Sequence, residues 1–241
     1  VGLTNQDLYA PSIAPNTAPL LVVAGPTGAG KSALALHLAQ AFQAEIVNCD
    51  SVQVYRGLEI GAAKLPLEGR RGIPHHLIDI VDPGEELTAG AYASLARAVL
   101  GDLAARGVLP IVAGGTGFYL RALLAGLSPA PARDAGLRAR LAAIARRRPA
   151  VLHRFLCRHD AASAARIHPN DHQKLIRAIE LTWLVGQPAS RVQSVPRRQL
   201  EGFRVLQLGL QPARSSLREA LDERSAEMFR GGLLEETRAL L

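Results

Sequence analysis

Residues 25–32 are Gly25-Pro26-Thr27-Gly28-Ala29-Gly30-Lys31-Ser32, which match the phosphate-loop pattern G-x-x-x-x-G-K-[ST] in full. An apolar run, residues 20–24, precedes the loop, and a helical pattern, residues 33–42, follows it. In this context the loop follows a strand, and its backbone N–H groups surround a polyphosphate. The positive end of the dipole of the following helix attracts the same phosphates. We expect Lys31 to reach the terminal phosphates and the Ser32 hydroxyl to hold Mg²⁺. The loop therefore predicts a di- or triphosphate site and leaves open which compound binds.

Strand and helix patterns alternate around this loop. Such alternation predicts a parallel sheet, in which functional loops lie at the carboxyl ends of the strands. Lys31, Asp50 and Thr116 all fall at such ends, so we expect them to converge on one cleft. The strand patterns cover residues 20–24, 44–49, 108–113 and 203–208. The helical patterns cover residues 33–42, 89–106, 118–127 and 215–241, the last interrupted at Gly231-Gly232, and residues 51–76 are predicted to be irregular.

Residues 128–199 differ from the rest of the chain in pattern and in charge. They show no strand pattern, and their 14 Lys and Arg residues against 4 Asp and Glu give a net charge of +10, whereas the remainder carries −3. A basic segment within a slightly acidic chain indicates a polyanion as partner. We therefore predict a basic helical insertion that binds nucleic acid. Its helical patterns cover residues 134–148, 151–158, 160–168 and 171–185.

The domain organisation follows from these patterns. A chain of 241 residues, 48% hydrophobic and 20% charged, is long enough for one α/β core with an insertion. A helical pattern that reaches Leu241 without a cap predicts that the natural protein continues. We predict a flexible tail at residues 1–18, a core at residues 19–127 and 200–241, and the insertion at residues 128–199.

Other classes of protein are disfavoured by the composition. The apolar runs are shorter than the roughly 20 residues of a membrane span, and residues 1–19 lack the pattern of a secretory signal. Cys49 and Cys157 lie far apart and form no C-x-x-C motif, so neither a disulfide framework nor a zinc site is expected. These features favour the reducing cytoplasm.

Asp50 is a candidate for the chemistry at the phosphate. In a phosphate-loop protein, a carboxylate after the second strand faces the reacting phosphate or its acceptor, where it binds Mg²⁺ through water or acts as a general base. A turn-capping aspartate before Ser51 is the alternative. The strand at residues 108–113 runs into Gly114-Gly115-Thr116, without the aspartate of a hydrolytic ATPase, which favours a group-transfer enzyme over a motor or a switch.

Arg224 shares a helical stripe with Leu217, Leu221 and Met228, at spacings of four, three and four residues. An arginine on an apolar stripe either extends from its edge into solvent or points inward at an anion. The stripe leaves these two orientations open.

The segment Asp171-His172-Gln173-Lys174-Leu175-Ile176-Arg177 combines polar and apolar positions on one predicted helix. Gln173 and Arg177 are four residues apart and share a face, with Lys174 beside Arg177. Such a ridge suits phosphate and base contacts, and a solvated helix face is the alternative. The histidines show no metal-ligand spacing with carboxylates or cysteines, so we expect them to be structural.

Five stretches occur in the order and spacing of a known family. They are Gly25-Pro26-Thr27-Gly28-Ala29-Gly30-Lys31-Ser32, Asp50-Ser51-Val52-Gln53-Val54-Tyr55, Pro74-His75-His76-Leu77-Ile78-Asp79, Gly114-Gly115-Thr116-Gly117-Phe118-Tyr119 and Ile167-His168-Pro169-Asn170-Asp171. Together they resemble the tRNA dimethylallyltransferase (isopentenyltransferase) family over residues 19–241. Ala62 and Ala220 depart from its pattern, in which threonine and arginine are frequent at these positions.

The resemblance implies an α/β fold, in which a phosphate-loop NTPase-like parallel sheet core carries an all-helical insertion domain. It implies transfer of a dimethylallyl group from dimethylallyl diphosphate to the exocyclic amine of the adenosine 3′-adjacent to the tRNA anticodon, with release of pyrophosphate. The partners are then the tRNA anticodon stem-loop and dimethylallyl diphosphate, and the cofactor is Mg²⁺. Neither a membrane nor an obligate protein partner is implied.

The same resemblance assigns roles to residues of this chain. Asp50 would take a proton from the amine, and Thr116 would support that geometry. Arg224 with Lys31 would stabilise the departing pyrophosphate, while Ser32 holds Mg²⁺ and Asp50 joins it through water. The diphosphate would be bound by Gly25, Pro26, Thr27, Gly28, Ala29, Gly30, Lys31 and Ser32. The tRNA would be bound by Asp50, Ser51, Val52, Gln53, Thr116, Arg138, Gln173, Lys174, Leu175, Ile176 and Arg177.

Three other functions compete with this one. A small-molecule or nucleotide kinase would use the loop for ATP and Asp50 as base, but an insertion of 72 residues is large for a kinase lid. A prenyltransferase of free adenine nucleotides would need no domain to grip an anticodon loop. A non-catalytic RNA-binding protein would give no reason for the intact Lys31-Ser32 pair.

Overall fold

The computed structural model describes residues 17–128 and 130–240, which form two compact units. The first unit, the core, ends at Gly126 and resumes at Gln199, and the second unit, the insertion, is Leu127–Arg198. The tail predicted for residues 1–18 lies outside the described residues except for its last two, of which Ala18 begins the first strand. None of the helices formed by the described residues is long and apolar enough to cross a membrane.

The core contains a parallel sheet of five strands among the described residues, in the order β3-β2-β4-β1-β5. This confirms the predicted α/β sheet. The strands are β1 Ala18–Ala24, β2 Glu45–Asn48, β3 His75–His76, β4 Pro110–Gly114 and β5 Phe203–Gly209. A correction concerns β3 and a short 3-10 helix, Glu68–Arg70, which lie where the sequence predicts irregular structure. Two or three residues are too few to show a period, so neither element has a sequence signal.

Both faces of this sheet are covered, as is usual for parallel strands. On one face, Leu21 and Val23 of β1 pack with Ala35, Leu36 and Ala39 of the helix that follows the phosphate loop. Leu20 and Val22 point to the opposite face and are equally buried. The helices of this part are α1 Lys31–Phe42, α2 Ala89–Ala105 and α3 Gly117–Ala125.

The insertion is helical, as predicted. Its helices are α4 Ala135–Arg147, α5 Ala150–His159, α6 Ala161–Arg166, α7 His172–Val185 and α8 Ala189–Gln193. The first four match the predicted helices, whereas α8 has no counterpart in the prediction because five residues barely exceed one helical turn. An apolar cluster joins the helices, and its largest members are Leu141, Leu152, Leu156, Leu175, Ile176 and Ile179.

The four acidic side chains of the insertion all have structural partners. Asp134, Asp160 and Asp171 cap α4, α6 and α7, each accepting a backbone N–H at 2.8, 3.0 and 3.1 Å. Asp160 also accepts the Ser190 N–H at 2.9 Å, at the start of α8, and Glu180 is fully buried in α7. The excess positive charge therefore belongs to side chains that few acidic neighbours compensate.

Two helices follow β5: α9 Arg214–Arg230 and α10 Leu233–Ala239. The stripe predicted for α9 is confirmed, because Leu217, Leu221, Arg224 and Met228 are all half-buried while most other side chains of the helix are exposed. This face lies against the phosphate loop, since a Cβ placed on Gly28 would be 3.2 Å from the Leu221 side chain.

Gly114, the last residue of β4, occupies a position that only glycine fits. A Cβ at this residue would lie 2.0 Å from the Cys49 carbonyl oxygen, a backbone atom that cannot move aside. We expect Gly114→Ala to lower the free energy of unfolding by about 3 kcal/mol or more, the upper end for overpacked sites. Gly101→Ala is the matched control, because nothing lies within 4 Å of its Cβ position in α2. Thermal unfolding of both variants checks this, and equal stability would contradict it.

Candidate active site

The phosphate loop connects β1 to α1 and has the backbone that an anion requires. Gly28 and Gly30 have φ values of 83° and 80°, a left-handed conformation that glycine adopts without strain. A Cβ on Gly25 would approach the Leu210 carbonyl oxygen to 2.8 Å, so this glycine permits close packing of the loop beside β5. No side chain caps the N-terminus of α1, and its first turn holds no acidic residue. The N–H groups at the start of α1 are therefore free for a phosphate.

Lys31 lies at the centre of this loop. Its Nζ donates to the Pro26 carbonyl oxygen at 2.8 Å. Partial burial lowers the pKa of Lys31 from its usual value, the Asp50 carboxylate opposes this, and the Arg224 guanidinium adds to the lowering. Arg224 is half-buried on the face of α9 that lies against the phosphate loop, which favours the inward of the two orientations that the sequence leaves open. Lys31 and the free N–H groups of the helix form a candidate site for a multiply charged anion, to which Arg224 would add positive charge.

Asp50 caps the turn after β2 with one of its two carboxylate oxygens. Its Oδ1 accepts the N–H groups of Val52 at 2.8 Å and Gln53 at 3.4 Å, which closes a turn directly after β2. Its Oδ2 accepts no hydrogen bond from the described residues. One carboxylate oxygen therefore holds the backbone while the other is available to a substrate.

Asn48, the last residue of β2, supports this turn. It is 4% exposed; its Oδ1 accepts the Asp50 N–H at 3.2 Å, and its Nδ2 donates to the Leu77 carbonyl oxygen at 2.9 Å. The Tyr92 hydroxyl donates to the Asn48 carbonyl oxygen at 2.9 Å. These buried hydrogen bonds fix the direction in which Asp50 leaves the sheet.

Thr116 ties the end of β4 to the Asp50 turn. Its Oγ1 accepts the Ser51 N–H at 2.9 Å and donates to the Ser51 hydroxyl at 3.2 Å. A Cβ on the preceding Gly115 would lie 3.4 Å from Lys31 Nζ. The ends of β1, β2 and β4 thus meet, and the three residues expected to converge lie together. The threonine acts on the backbone beside Asp50 rather than on its carboxylate.

Gln53 is held by a second loop, residues 57–64. Its Nε2 donates to the carbonyl oxygens of Ala62 at 3.1 Å and Ala63 at 3.4 Å. These are backbone contacts, so the alanine at position 62 maintains them without the threonine that is frequent there. The loop ends at Lys64, which is buried, donates to the Tyr55 carbonyl oxygen at 2.7 Å, and pairs with Asp79.

Two arginines predicted to contact tRNA are engaged within the insertion. Arg138 and Arg177 donate to Glu180 Oε2 at 3.2 and 2.7 Å, and Arg177 also donates to the Pro131 carbonyl oxygen at 3.1 Å. Glu180 is fully buried. Burial alone would raise the pKa of this carboxyl, but the Arg177 hydrogen bond and its other partners lower it below the usual value. The two arginine side chains remain about 30% exposed, so both are partly accessible at the surface of the insertion.

The remaining residues of the predicted ridge divide into two groups. Gln173 and Lys174 are exposed on α7, and Lys174 Nζ pairs with Asp171 at 2.6 Å. Leu175 and Ile176 are 0% and 8% exposed and belong to the apolar cluster of the insertion. Their side chains therefore pack inside the insertion, and their assignment to the tRNA-binding segment stays a prediction.

Family comparison places the chain among known proteins. A family model described as isopentenyl transferase matches residues 18–70, and one described as IPP transferase matches residues 53–241, which is more than half of the chain. The chain belongs to the IPP transferase family. The predicted resemblance is thereby confirmed.

Relatives of this IPP transferase family member carry consistent names. A tRNA dimethylallyltransferase of Solibacter usitatus (strain Ellin6076) is 58% identical over 223 residues, which are 92% of this chain and 73% of that protein. The tRNA isopentenylpyrophosphate transferase of Bacillus halodurans has a TM-score of 0.62 at 34% identity, covering 92% of this chain and 69% of that one. A eukaryotic dimethylallyltransferase acting on tRNA has a TM-score of 0.77 at 33% identity, covering 93% of this chain and 56% of that one. The chain is a prenyl transferase with the phosphate-loop fold of these proteins.

In this IPP transferase family member, Lys31, Asp50, Thr116 and Arg224 lie around one edge of the core sheet, and their catalytic roles remain predictions. Sequence reasoning missed the residues that hold them in place. Asn48 has a usable signal, since it is a polar residue that directly follows the apolar Ile46 and Val47. Glu180 also has a signal, since Arg177 lies three residues before it on the same helix. Glu236 has no signal, because the N–H groups that it binds lie 175–177 residues away. The supporting residues missed are Asn48, Lys64, Tyr92, Glu180 and Glu236.

Proposed function

We propose that this chain transfers the dimethylallyl group of dimethylallyl diphosphate to the exocyclic amine of the adenosine 3′-adjacent to a tRNA anticodon. The bond between the allylic carbon and the diphosphate oxygen breaks, a carbon–nitrogen bond forms, and a proton leaves the amine with pyrophosphate as the other product. The observation that supports this most directly is a carboxylate with a free oxygen beside a phosphate loop flanked by two cations. The names of the relatives agree with it.

Asp50 would act as the general base. An adenine amine is a weak nucleophile because its lone pair is delocalised into the ring. A positioned carboxylate compensates by taking the proton as the new bond forms, and proximity adds to the effect. The free Oδ2 suits this role, and the Oδ1 bonds to the Val52 and Gln53 N–H groups hold the carboxylate in one orientation.

The leaving pyrophosphate would be stabilised by the phosphate loop. The N–H groups at the start of α1, Lys31 and Arg224 supply positive potential where negative charge develops. Ser32 would supply its hydroxyl to Mg²⁺, with Asp50 joining through water. Oxygen donors of this kind, completed by substrate phosphate and water, are what the ion prefers. Bound there, Mg²⁺ would neutralise part of the diphosphate charge. Among residues 17–128 and 130–240, no three His, Cys, Asp or Glu side chains form a metal-binding group, so its other ligands would be phosphate and water.

The tRNA would be bound by both units. An anticodon-loop base has to leave its stack to reach an active site, which requires a grip on the neighbouring backbone. Residues 50–53 would read the extruded adenine, while the exposed Gln173 and Lys174 and the partly exposed Arg138 and Arg177 would contact phosphates. We place the reaction in the cytoplasm, where the unpaired thiols of Cys49 and Cys157 stay reduced.

The function is tested by incubating the protein with labelled dimethylallyl diphosphate and unmodified tRNA, beside ATP and AMP as competing acceptors. We expect label in tRNA at one adenosine and little in the nucleotides. Label in AMP or ATP alone would favour a prenyltransferase of free nucleotides. Phosphate transfer from labelled ATP, with no prenylation, would favour a kinase and overturn the proposal.

A charge substitution on α7 tests the role of the insertion. We expect Lys174→Ala to weaken tRNA binding and to reduce the slope of log affinity against log salt by about 0.7, the value for one phosphate contact on a single strand. Arg177 is unsuitable for this test, because its loss would leave the buried Glu180 short of a partner. Arg230→Ala is the matched control, because Arg230 is exposed on α9, which belongs to the other unit. An unchanged slope in Lys174→Ala would remove this residue from the interface.

A further inference from the structure

Glu236 of α10 binds three successive backbone N–H groups of the loop 57–64. Its Oε2 accepts the N–H groups of Glu59 at 2.8 Å and Ile60 at 2.7 Å, and its Oε1 accepts that of Gly61 at 2.8 Å. A concave row of N–H groups is a recognised cradle for anions, and here the anion is a side chain of the same protein. Burial acts to raise the pKa of Glu236, but the three N–H bonds and the Lys64 charge together lower it below its usual value. The carboxylate is therefore held in its charged form.

The packing of α10 on the same loop adds to these hydrogen bonds. A Cβ on Gly61 would lie 3.2 Å from the Leu233 side chain, and one on Gly57 would lie 3.6 Å from that of Leu240. A Cβ on Gly232, at the start of α10, would lie 3.7 Å from the Ile60 side chain. Both ends of the helix therefore contact the loop, and Glu236 anchors its middle.

Two carbonyl groups of the same loop hold the side chain of Gln53. The residues that follow the N–H cradle, Ala62 and Ala63, present their carbonyl oxygens to Gln53 Nε2. Carbonyl oxygens only accept hydrogen bonds, so this contact fixes the amide with its Oε1 turned away from the loop as an acceptor. An oxygen in that orientation can accept a hydrogen bond from an amine beside Asp50. The position of the loop thus decides the orientation of the Gln53 amide.

We propose that Glu236 is a positioning residue for the acceptor nucleoside, acting through the loop 57–64 on Gln53. This rests on the proposed function, since Gln53 belongs to the segment that would read the adenine. The contacts form a series. Glu236 of α10 binds the N–H groups of the loop, and the carbonyl oxygens of the same loop bind the Gln53 amide. The phosphate loop lies outside this series. Loss of Glu236 therefore affects the tRNA substrate and spares the diphosphate.

The test compares Glu236→Gln with Glu235→Gln, which removes the same charge from an exposed neighbour in α10. A glutamine offers one acceptor oxygen in place of two, so part of the cradle loses its partner. We expect kcat/KM for tRNA to fall about tenfold in Glu236→Gln, as for the loss of one hydrogen bond to a charged group. Binding of dimethylallyl diphosphate stays unchanged, and Glu235→Gln stays near wild type in both measurements.

A double-mutant cycle with Gln53→Ala separates positioning from stability. If Glu236 acts through Gln53, the double variant is no worse than Gln53→Ala alone. Additive losses, or a lower melting temperature with unchanged kcat/KM for tRNA, would overturn the proposal. If Glu236→Gln does not fold, the same cycle is measured with Glu236→Asp, which retains the charge on a shorter side chain. Failure of the proposed function is distinguishable, because the wild-type protein would then prenylate no tRNA.

Discussion

Asp50→Asn is expected to slow the transfer step by about 10²–10⁴-fold, the usual contribution of general base catalysis. Asparagine retains an oxygen that can accept the Val52 and Gln53 N–H groups, so the turn after β2 persists. It loses the basic oxygen that would receive the proton of the adenine amine. Single-turnover measurements with saturating tRNA and dimethylallyl diphosphate report this step directly. Binding of both substrates should remain close to wild type.

A second substitution of Asp50 distinguishes its role in the turn from its role as the base. Asp50→Ala removes the oxygen that holds the turn as well as the base, so weaker tRNA binding is expected in addition to slow transfer. Asp222→Asn, in an exposed part of α9, controls for the change of charge. A transfer rate near wild type in Asp50→Asn would show that the carboxylate is a turn cap and that the base lies elsewhere.

Lys31→Ala is expected to weaken the binding of dimethylallyl diphosphate and to slow its transfer by about 10²–10³-fold, the typical cost of losing one donor to a developing anion. Lys31 is the phosphate-loop cation, and partial burial, with a smaller contribution from the Arg224 guanidinium, lowers its pKa from the usual value. Without the lysine, less of the pyrophosphate charge would be neutralised as the allylic bond breaks.

The measurement for Lys31→Ala is a pair of affinities, one for the diphosphate and one for tRNA. We expect the first to fall and the second to change little, because the proposed tRNA contacts lie at residues 50–53 and on the insertion. Lys174→Ala is the complementary control, with the opposite pattern. A collapse of tRNA affinity with normal diphosphate binding would require the two substrates to exchange places in the cleft.

Much of the fold follows from local patterns in the sequence. The phosphate loop has a complete motif. The strands around it and the four longer helices of the insertion extend over enough residues to show a period. Because functional loops lie at the carboxyl ends of parallel strands, the sequence also places Lys31, Asp50 and Thr116 at one edge of the sheet. Elements of two to five residues escape such reasoning, as β3, the 3-10 helix and α8 do.

What the sequence determines by itself about this protein is which segments form strands, helices and the anion-binding loop. Periodicity and glycine spacing are properties of neighbouring residues, and they suffice for this. Tertiary structure decides which charged groups are engaged with distant partners: Arg138 with Glu180, 42 residues away, and Glu236 with an N–H cradle 175–177 residues away. A charge in the sequence carries no mark of its partner, because burial and pairing depend on elements that meet only in the folded chain. For this reason residues 171–177 separate in the structure into core side chains, an arginine paired with Glu180, and an exposed Gln173 and Lys174.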